Sequence, residues 1–283
     1  MSVVFIWSSW LVVSRAGALT PMTAYDLAAL RYGVSALIAL PIVLYFKPWR
    51  TMPWKRIITV TVLLGPIYVL FVFFGFKLAP AAHGGIFMNG ALPIFTLLIG
   101  WTWLVQRPSR RHILASLIIL FGVIMTVGDA TFGFLDTWQG DLMFTAAALL
   151  FCLYLVVSRL WNVTSAQVLM CSSLLNAITF VPIWFFFLPS GIADTTPAQF
   201  WFQALFQGLV PNLFGLLMIS IAARHLGPSG TAAFMASVPG LVALLSLIFL
   251  DEPIGLISWT GLFVLTLGIL IMTRNKKSSA LTT

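Results

Sequence analysis

Charge is what this chain has least of. Only 8% of its 283 residues are charged while 60% are hydrophobic, whereas a water-soluble domain carries about 25% charged residues. A soluble globule is therefore excluded, and an all-α integral membrane protein is expected. Acids are the scarcest group, 7 Asp and Glu against 15 Lys and Arg. None of them lies deep in an apolar run, which removes the usual intramembrane proton relay and a dedicated anchor for cationic drugs. The 3 histidines, His83, His112 and His225, are too dispersed to act as paired ligands on one helix face. Neither a metal nor a cofactor is expected. No lysine follows a glycine, so the phosphate-cradling loop of an ATP-driven pump is missing. The 2 cysteines, Cys152 and Cys171, sit in apolar context without a CxxC spacing and read as buried thiols, not as a disulfide or zinc knuckle. The chain turns apolar at Val3 with no basic leader or small-residue cleavage site, so a retained first span is expected, not a signal peptide.

What is present in quantity is apolar sequence in bilayer-length runs of roughly 17 to 25 residues, with 24 Phe and 11 Trp as bulk and interfacial anchors. Counting runs between polar breaks gives ten spans, near 3–19, 27–46, 57–76, 84–105, 113–128, 141–158, 165–188, 200–222, 231–250 and 254–273. All are read as helices, because backbone in lipid must satisfy its own hydrogen bonds. With the N-terminus cytoplasmic, 12 of the 15 basic residues fall in inward loops, Arg15 and Lys77 fall outside and Arg31 lies within a span. The acids then collect at the opposite face. The charge of +8 thus sets orientation, with both termini cytoplasmic, and does not signal nucleic acid.

The chain also repeats itself. Pro41, Pro48, Pro66, Pro80, Pro93 and Pro108 return in the same order as Pro182, Pro189, Pro211, Pro228, Pro239 and Pro253, 141 to 148 residues later. Leu11-Val12-Val13-Ser14-Arg15 returns 144 residues later as Leu155-Val156-Val157-Ser158-Arg159. Prolines in apolar helices are costly, so their order carries information. Two five-helix repeats follow, 1–134 and 135–283, and an odd number of spans per repeat requires the second to enter the membrane inverted. The turns agree: Gln106-Arg107-Pro108 is followed by more basic groups, whereas its counterpart Asp251-Glu252-Pro253 has gained two acids.

Mid-helix prolines free carbonyls and allow kinks, and in a membrane such helices usually line a cavity. The candidate lining is Trp7 and Trp10, Tyr68, Met88 and Asn89, Tyr154, Asn212, Met235 and Ser237, with Asn176 and Gln207 nearby. Aromatic, thioether and amide groups suit neutral, zwitterionic or aromatic metabolites. Each has a structural alternative: an intramembrane Asn bridges helices, and a Trp anchors at the interface. Arg31, within reach of Asp26, is expected in structure or gating. His83, beside Gly84-Gly85, is expected in local hydrogen bonding, and Pro93 and Pro239 in kinks that gate or shape the bundle. Against a carrier stands Gly227-Pro228-Ser229-Gly230, which looks like the Gly-x-Ser-Gly of intramembrane rhomboid proteases. Its first-half equivalent is Ala81 or Ala82, and a turn that tolerates Ala is structural.

Leu30-Arg31-Tyr32, the Leu78-x-Pro80 turn, Pro93, Asp251-Glu252-Pro253, Gly261 and Gly268 together resemble the EamA-type branch of the drug/metabolite transporter superfamily, over the whole chain. The usual Glu before Pro is kept at Glu252 and replaced by Gln106-Arg107 in the first half. The resemblance implies a ten-helix inverted-repeat carrier of a bacterial inner membrane, often an exporter of amino acids or related metabolites. It also implies a central cavity between helices one, three, four, six, eight and nine. The expectation is a secondary transporter working by alternating access, not an enzyme. Its partners would be a small-molecule solute and the lipid bilayer, with no nucleic acid and a monomer as the expected form. The alternatives are an uptake carrier, a non-transporting scaffold or an intramembrane enzyme.

Overall fold

The computed structural model describes residues 2–103, 105, 107–127, 134–215 and 235–273; these are helix and short turns, with no strand among the described residues. In chain order the helices are α1 (Ser2–Ala18), α2 (Ala24–Phe46), α3 (Trp54–Leu63), α4 (Pro66–Leu78), α5 (Ala81–Thr102) and α6 (Arg110–Val127). They continue as α7 (Phe134–Leu160), α8 (Ser165–Leu169), α9 (Asn176–Phe187), α10 (Pro197–Leu209), α11 (Val238–Leu250) and α12 (Leu256–Thr273). A π turn over Met170–Leu175 joins α8 to α9, and another over Val210–Gly215 follows α10.

Six of these stretches are long and apolar enough to cross a membrane: Ala24–Phe46, Trp54–Leu78, Ala81–Thr102, Asp136–Leu160, Ser165–Phe187 and Leu256–Thr273. Helices α1 and α11 are shorter and apolar. Helix starts fall where the sequence supplies caps: Thr23 with Asp26, Thr164 with Gln167 and Thr196 with Gln199 each form a capping box. The threonine satisfies the backbone N–H three residues on, and the acid or amide reaches back to the threonine's own N–H. The sixth span begins earlier than its hydropathy suggests, at Phe134 instead of 141. Thr137 and Asp141 are buried within α7, because polar side chains that pair internally extend a helix without a hydrophobic signal.

The proline ladder divides in two. Pro41, Pro93 and Pro182 lie inside continuous helices. Pro66 instead opens α4 after Gly65, Pro239 sits in the first turn of α11, and Pro211 lies in a π turn. Pro66 and Pro239 open helices, where the missing N–H costs least, whereas Pro211 sits in the π turn that continues α10. At the Leu64-Gly65-Pro66 break the Tyr32 hydroxyl donates to Leu64 O at 3.1 Å, and Asn176 Nδ2 reaches Thr61 O at 3.3 Å. Asn176 is thus a bridge that satisfies freed carbonyls.

Helix α6 packs along α12, α2 against α8 to α10, α5 against α11, α7 against both α4 and α5, and α1 against α11. The α6–α12 contact is closest where the last span keeps its glycines. A Cβ on Gly122 would stand 2.6 Å from Leu265 N, and one on Gly261 2.7 Å from Gly122 O. Small residues here let two backbones touch.

Hydrogen bonds tie the loops into two ends. At one, Thr23 Oγ1 donates to Pro189 O, Lys77 Nζ to Met22 O and Gly191 N to Asp26. At the other, Gln167 Nε2 donates to Thr51 Oγ1 and Arg56 lies over the Trp161 ring. The first end holds Asp26, Asp141, Asp194, Asp251 and Glu252, and the second holds Lys47, Arg50, Lys55, Arg56, Arg107, Arg110, Arg111 and Arg159.

Candidate functional site

Two adjoining cavities run through the bundle, sharing Trp7, Phe151 and Leu155 as a common wall. The larger, about 570 Å³, is lined by Trp7, Asn89, Pro93, Thr96, Phe151 and Met235, and reaches the basic end at Arg107, Pro108 and His112. The smaller, about 120 Å³, lies deeper, between Trp10, Arg31, Tyr68, Tyr154, Ser172 and Pro211. The larger falls within the size range of small-molecule pockets, mostly apolar with a few polar groups.

The kinked and broken helices supply these walls. Pro93, inside α5, faces the larger cavity together with Asn89, one turn earlier, whose Nδ2 donates to Gly85 O at 3.0 Å. The aromatic floor is held from behind. Trp10 is 2% exposed and its Nε1 donates to Gln207 Oε1 at 3.0 Å, while Gln207 Nε2 donates to Ser14 Oγ and Gln203 Oε1. Tyr68 stacks on Phe151 at 5.8 Å, and Tyr154 lies 5.6 Å from the same ring. The Arg31 guanidinium lies 5.1 Å from the centroid of the Trp10 ring, a cation on an aromatic face. The Asp26 carboxylate meanwhile accepts from Thr23 N, Trp184 Nε1 and Gly191 N.

At the acidic end the helices are pinned together. The Arg15 Nε donates to Glu252 Oε1 at 2.7 Å, and its Nη1 donates to Phe76 O. Glu252 Oε2 accepts from Ala81 N at 2.9 Å. One ion pair therefore joins the end of α1, the end of α4, the start of α5 and the turn after α11. Asp251 makes this possible: with φ 53 it ends α11 in the left-handed region and turns the chain so that Glu252 meets Arg15. Beside it, His83 Nδ1 and Asp141 Oδ1 are 2.8 Å apart and almost wholly buried, with Thr137 Oγ1 donating to Asp141 Oδ2. No residue of this pinned end lines either cavity.

Of the residues singled out in the sequence, Trp7, Asn89, Pro93 and Met235 meet in the larger cavity, and Trp7, Trp10, Arg31, Tyr68 and Tyr154 in the smaller. Met88 is buried in the core, Ser237 is exposed, and Pro239 packs near Gly85; none of the three lines either cavity. His83 belongs to the pinned end. The Asn212 side chain and the Gly227-Pro228-Ser229-Gly230 turn lie outside the described residues. Sequence reasoning missed Phe151 and Leu155, which look like any other apolar residues of α7, and the Arg15–Glu252 pair. For the pair a signal existed: a lone Arg closing an apolar helix, and a Glu kept before Pro in one repeat only.

Three comparisons with known proteins bear on the family and the fold of this chain. The EamA-like transporter family matches twice, over residues 1–128 and 138–274. The uncharacterized transporter YwfM of Bacillus subtilis (strain 168) is 24% identical over 278 residues, covering 93% of this chain and 89% of its own length. A protein of known crystal structure superposes with a TM-score of 0.67 at 21% identity, over 95% of this chain and 93% of its own, which bears on the fold alone.

Proposed function

From the premise that this chain belongs to the EamA-like transporter family and is a multi-pass membrane transporter, we propose that it is a secondary carrier that exports small metabolites by alternating access. Amino acids or related neutral and aromatic solutes are its cargo. The observation that carries this reading is the asymmetry of the bundle: a cavity of about 570 Å³ reaches the basic end, while the acidic end is held by Arg15–Glu252 and His83–Asp141. A solute-sized hollow reaching one face only is one half of an alternating-access cycle.

In this reading the chain crosses a bacterial inner membrane ten times, as a monomer of two inverted repeats, with both termini and the basic end in the cytoplasm. Reciprocal packing supports the inversion. The contacts of α1 with α11 mirror those of α5 with α7, and those of α4 with α7 mirror those of α1 with α10 and its π turn. The contacts of α6 with α12 and of α2 with α8 and α9 join equivalent spans. Trp7, Asn89, Phe151 and Met235 form the solute's main lining, with Trp10, Tyr68 and Tyr154 deeper. Arg31 sets the position of Trp10, and rocking about Pro93 and the Pro239 turn exchanges access. Proteoliposomes loaded with a panel of radiolabelled amino acids and metabolites test the proposal. Saturable, solute-specific flux is expected, and no flux in either direction would remove the carrier reading. Counterflow with and without a pH gradient separates facilitated from proton-coupled movement.

A further inference from the structure

The Arg15–Glu252 pair has a counterpart in the duplicated sequence, and that counterpart cannot form. Arg15 is equivalent to Arg159, 144 residues on, and Glu252 to Arg107, 145 residues back. Where the acidic end pairs a cation with an anion, the basic end offers two cations. Only the first of them, Arg107, lines the larger cavity, at its rim; Arg159 lies on the same end of the bundle, exposed on α7 one helical turn beyond Leu155, which lines both cavities. His112 adds a third basic side chain, at the rim with Arg107, and no carboxylate lines either cavity among the described residues.

We infer that the basic end, between Arg107 and Arg159, is a binding site for an oxyanion, a carboxylate or phosphate, and that closure of that end requires it. The inference rests on the alternating-access reading: a repeat-related motion that opens the acidic end brings Arg159 to Arg107 as Arg15 now meets Glu252. Two guanidinium groups at that distance repel, whereas an oxyanion between them accepts from both, since arginine's planar fork matches carboxylate and phosphate. The cargo's own carboxylate is one source of this group, and a phospholipid headgroup is another. The empty carrier rests open to the basic end because only the acidic end closes without help. An anion-bearing solute arriving from the basic side then supplies what the first repeat lacks.

The test uses the full chain in nanodiscs with Cys152→Ala and Cys171→Ala, spin-labelled in pairs. Thr102→Cys with Leu160→Cys reports the basic end, and Leu78→Cys with Leu256→Cys the acidic end; all four positions are exposed. In phosphatidylcholine without added oxyanion the basic-end pair is expected at long distance. Phenylalanine, benzoate or phosphate is expected to shift it to the short distance, as is phosphatidylglycerol if the headgroup is the source; the arm that responds identifies the source. Arg107→Glu, which restores the second-repeat acid, is expected to change the open-to-closed ratio by about tenfold or more with no oxyanion present. Arg159→Glu serves the same purpose if that variant fails to fold. Glu252→Ala separates the two levels of the argument. If it opens the acidic pair while neither the oxyanions nor the Glu variants move the basic pair, the oxyanion site is overturned and the carrier reading stands. If no pair moves under any condition, both fall.

Discussion

The two ends of this bundle differ in what holds them. At the acidic end, Arg15 finds Glu252 at 2.7 Å, and the carboxylate also receives Ala81 N, so four chain segments share one electrostatic knot. At the basic end, the corresponding positions hold Arg159 and Arg107, and there the larger cavity reaches the surface. Glu252 at one end and Arg107 at the other are the clearest difference between an end whose Arg15 is paired and one where a cavity reaches the surface. A pinned end therefore depends on a carboxylate standing within reach of a guanidinium, not on apolar packing alone.

The most severe test of this contrast is to remove its charge. Glu252→Ala leaves Arg15 partly buried without its carboxylate and Ala81 N without its acceptor, a loss expected to cost about 3 kcal/mol, visible as a lowered Tm in detergent and as new labelling at the acidic end. Glu252→Gln keeps an acceptor for Ala81 N and is expected to lose roughly half as much. An unchanged Tm in both would mean the pair does not hold that end.

Asp141→Ala comes next. It strips the carboxylate from a His83 that is 1% exposed, and a loss of about 2 kcal/mol is expected in the same thermal assay. Trp7→Ala acts on the other side of the comparison. Trp7 lines both cavities, so kcat/KM for flux is expected to fall by roughly thirtyfold, about 2 kcal/mol, with Tm moved far less than by Glu252→Ala. Asn89→Ala is expected to raise KM a few-fold, since its amide already spends one donor on Gly85 O; unchanged kinetics would take it out of the site. The smallest effect belongs to Lys47, which caps α2 at the basic end with φ 47. Lys47→Gly is expected to stabilise by about 0.5–1 kcal/mol without altering flux, sharpening the point that this end's polar groups do not lock it.

Much of the scaffold was legible because a bilayer admits few backbone solutions. Helix occupies each of the ten apolar stretches over the described residues, and the capping threonines at 23, 164 and 196 sit at the polar breaks. The reading faltered where one residue type serves two purposes. Pro66 and Pro239 start helices, whereas Pro93 lies within one, a distinction that depends on the partners of neighbouring carbonyls. Met88 and Met235 each follow a Phe in an apolar stretch, yet the first is buried in the core and the second lines the cavity. Asn176 and Asn89 look alike in sequence, but one bridges a helix break and the other stands at a cavity wall.

Sequence alone determined the solvent of this protein, its helices and the sorting of its charges, because hydropathy and the lysine and arginine bias are properties of residues taken one at a time along the chain. The tertiary structure alone decided which end is pinned, that Asp141 meets His83 and Glu252 meets Arg15, and which aromatics face a hollow. Those are matters of distance between residues far apart in the chain, and a partner 237 residues away leaves no trace in local composition.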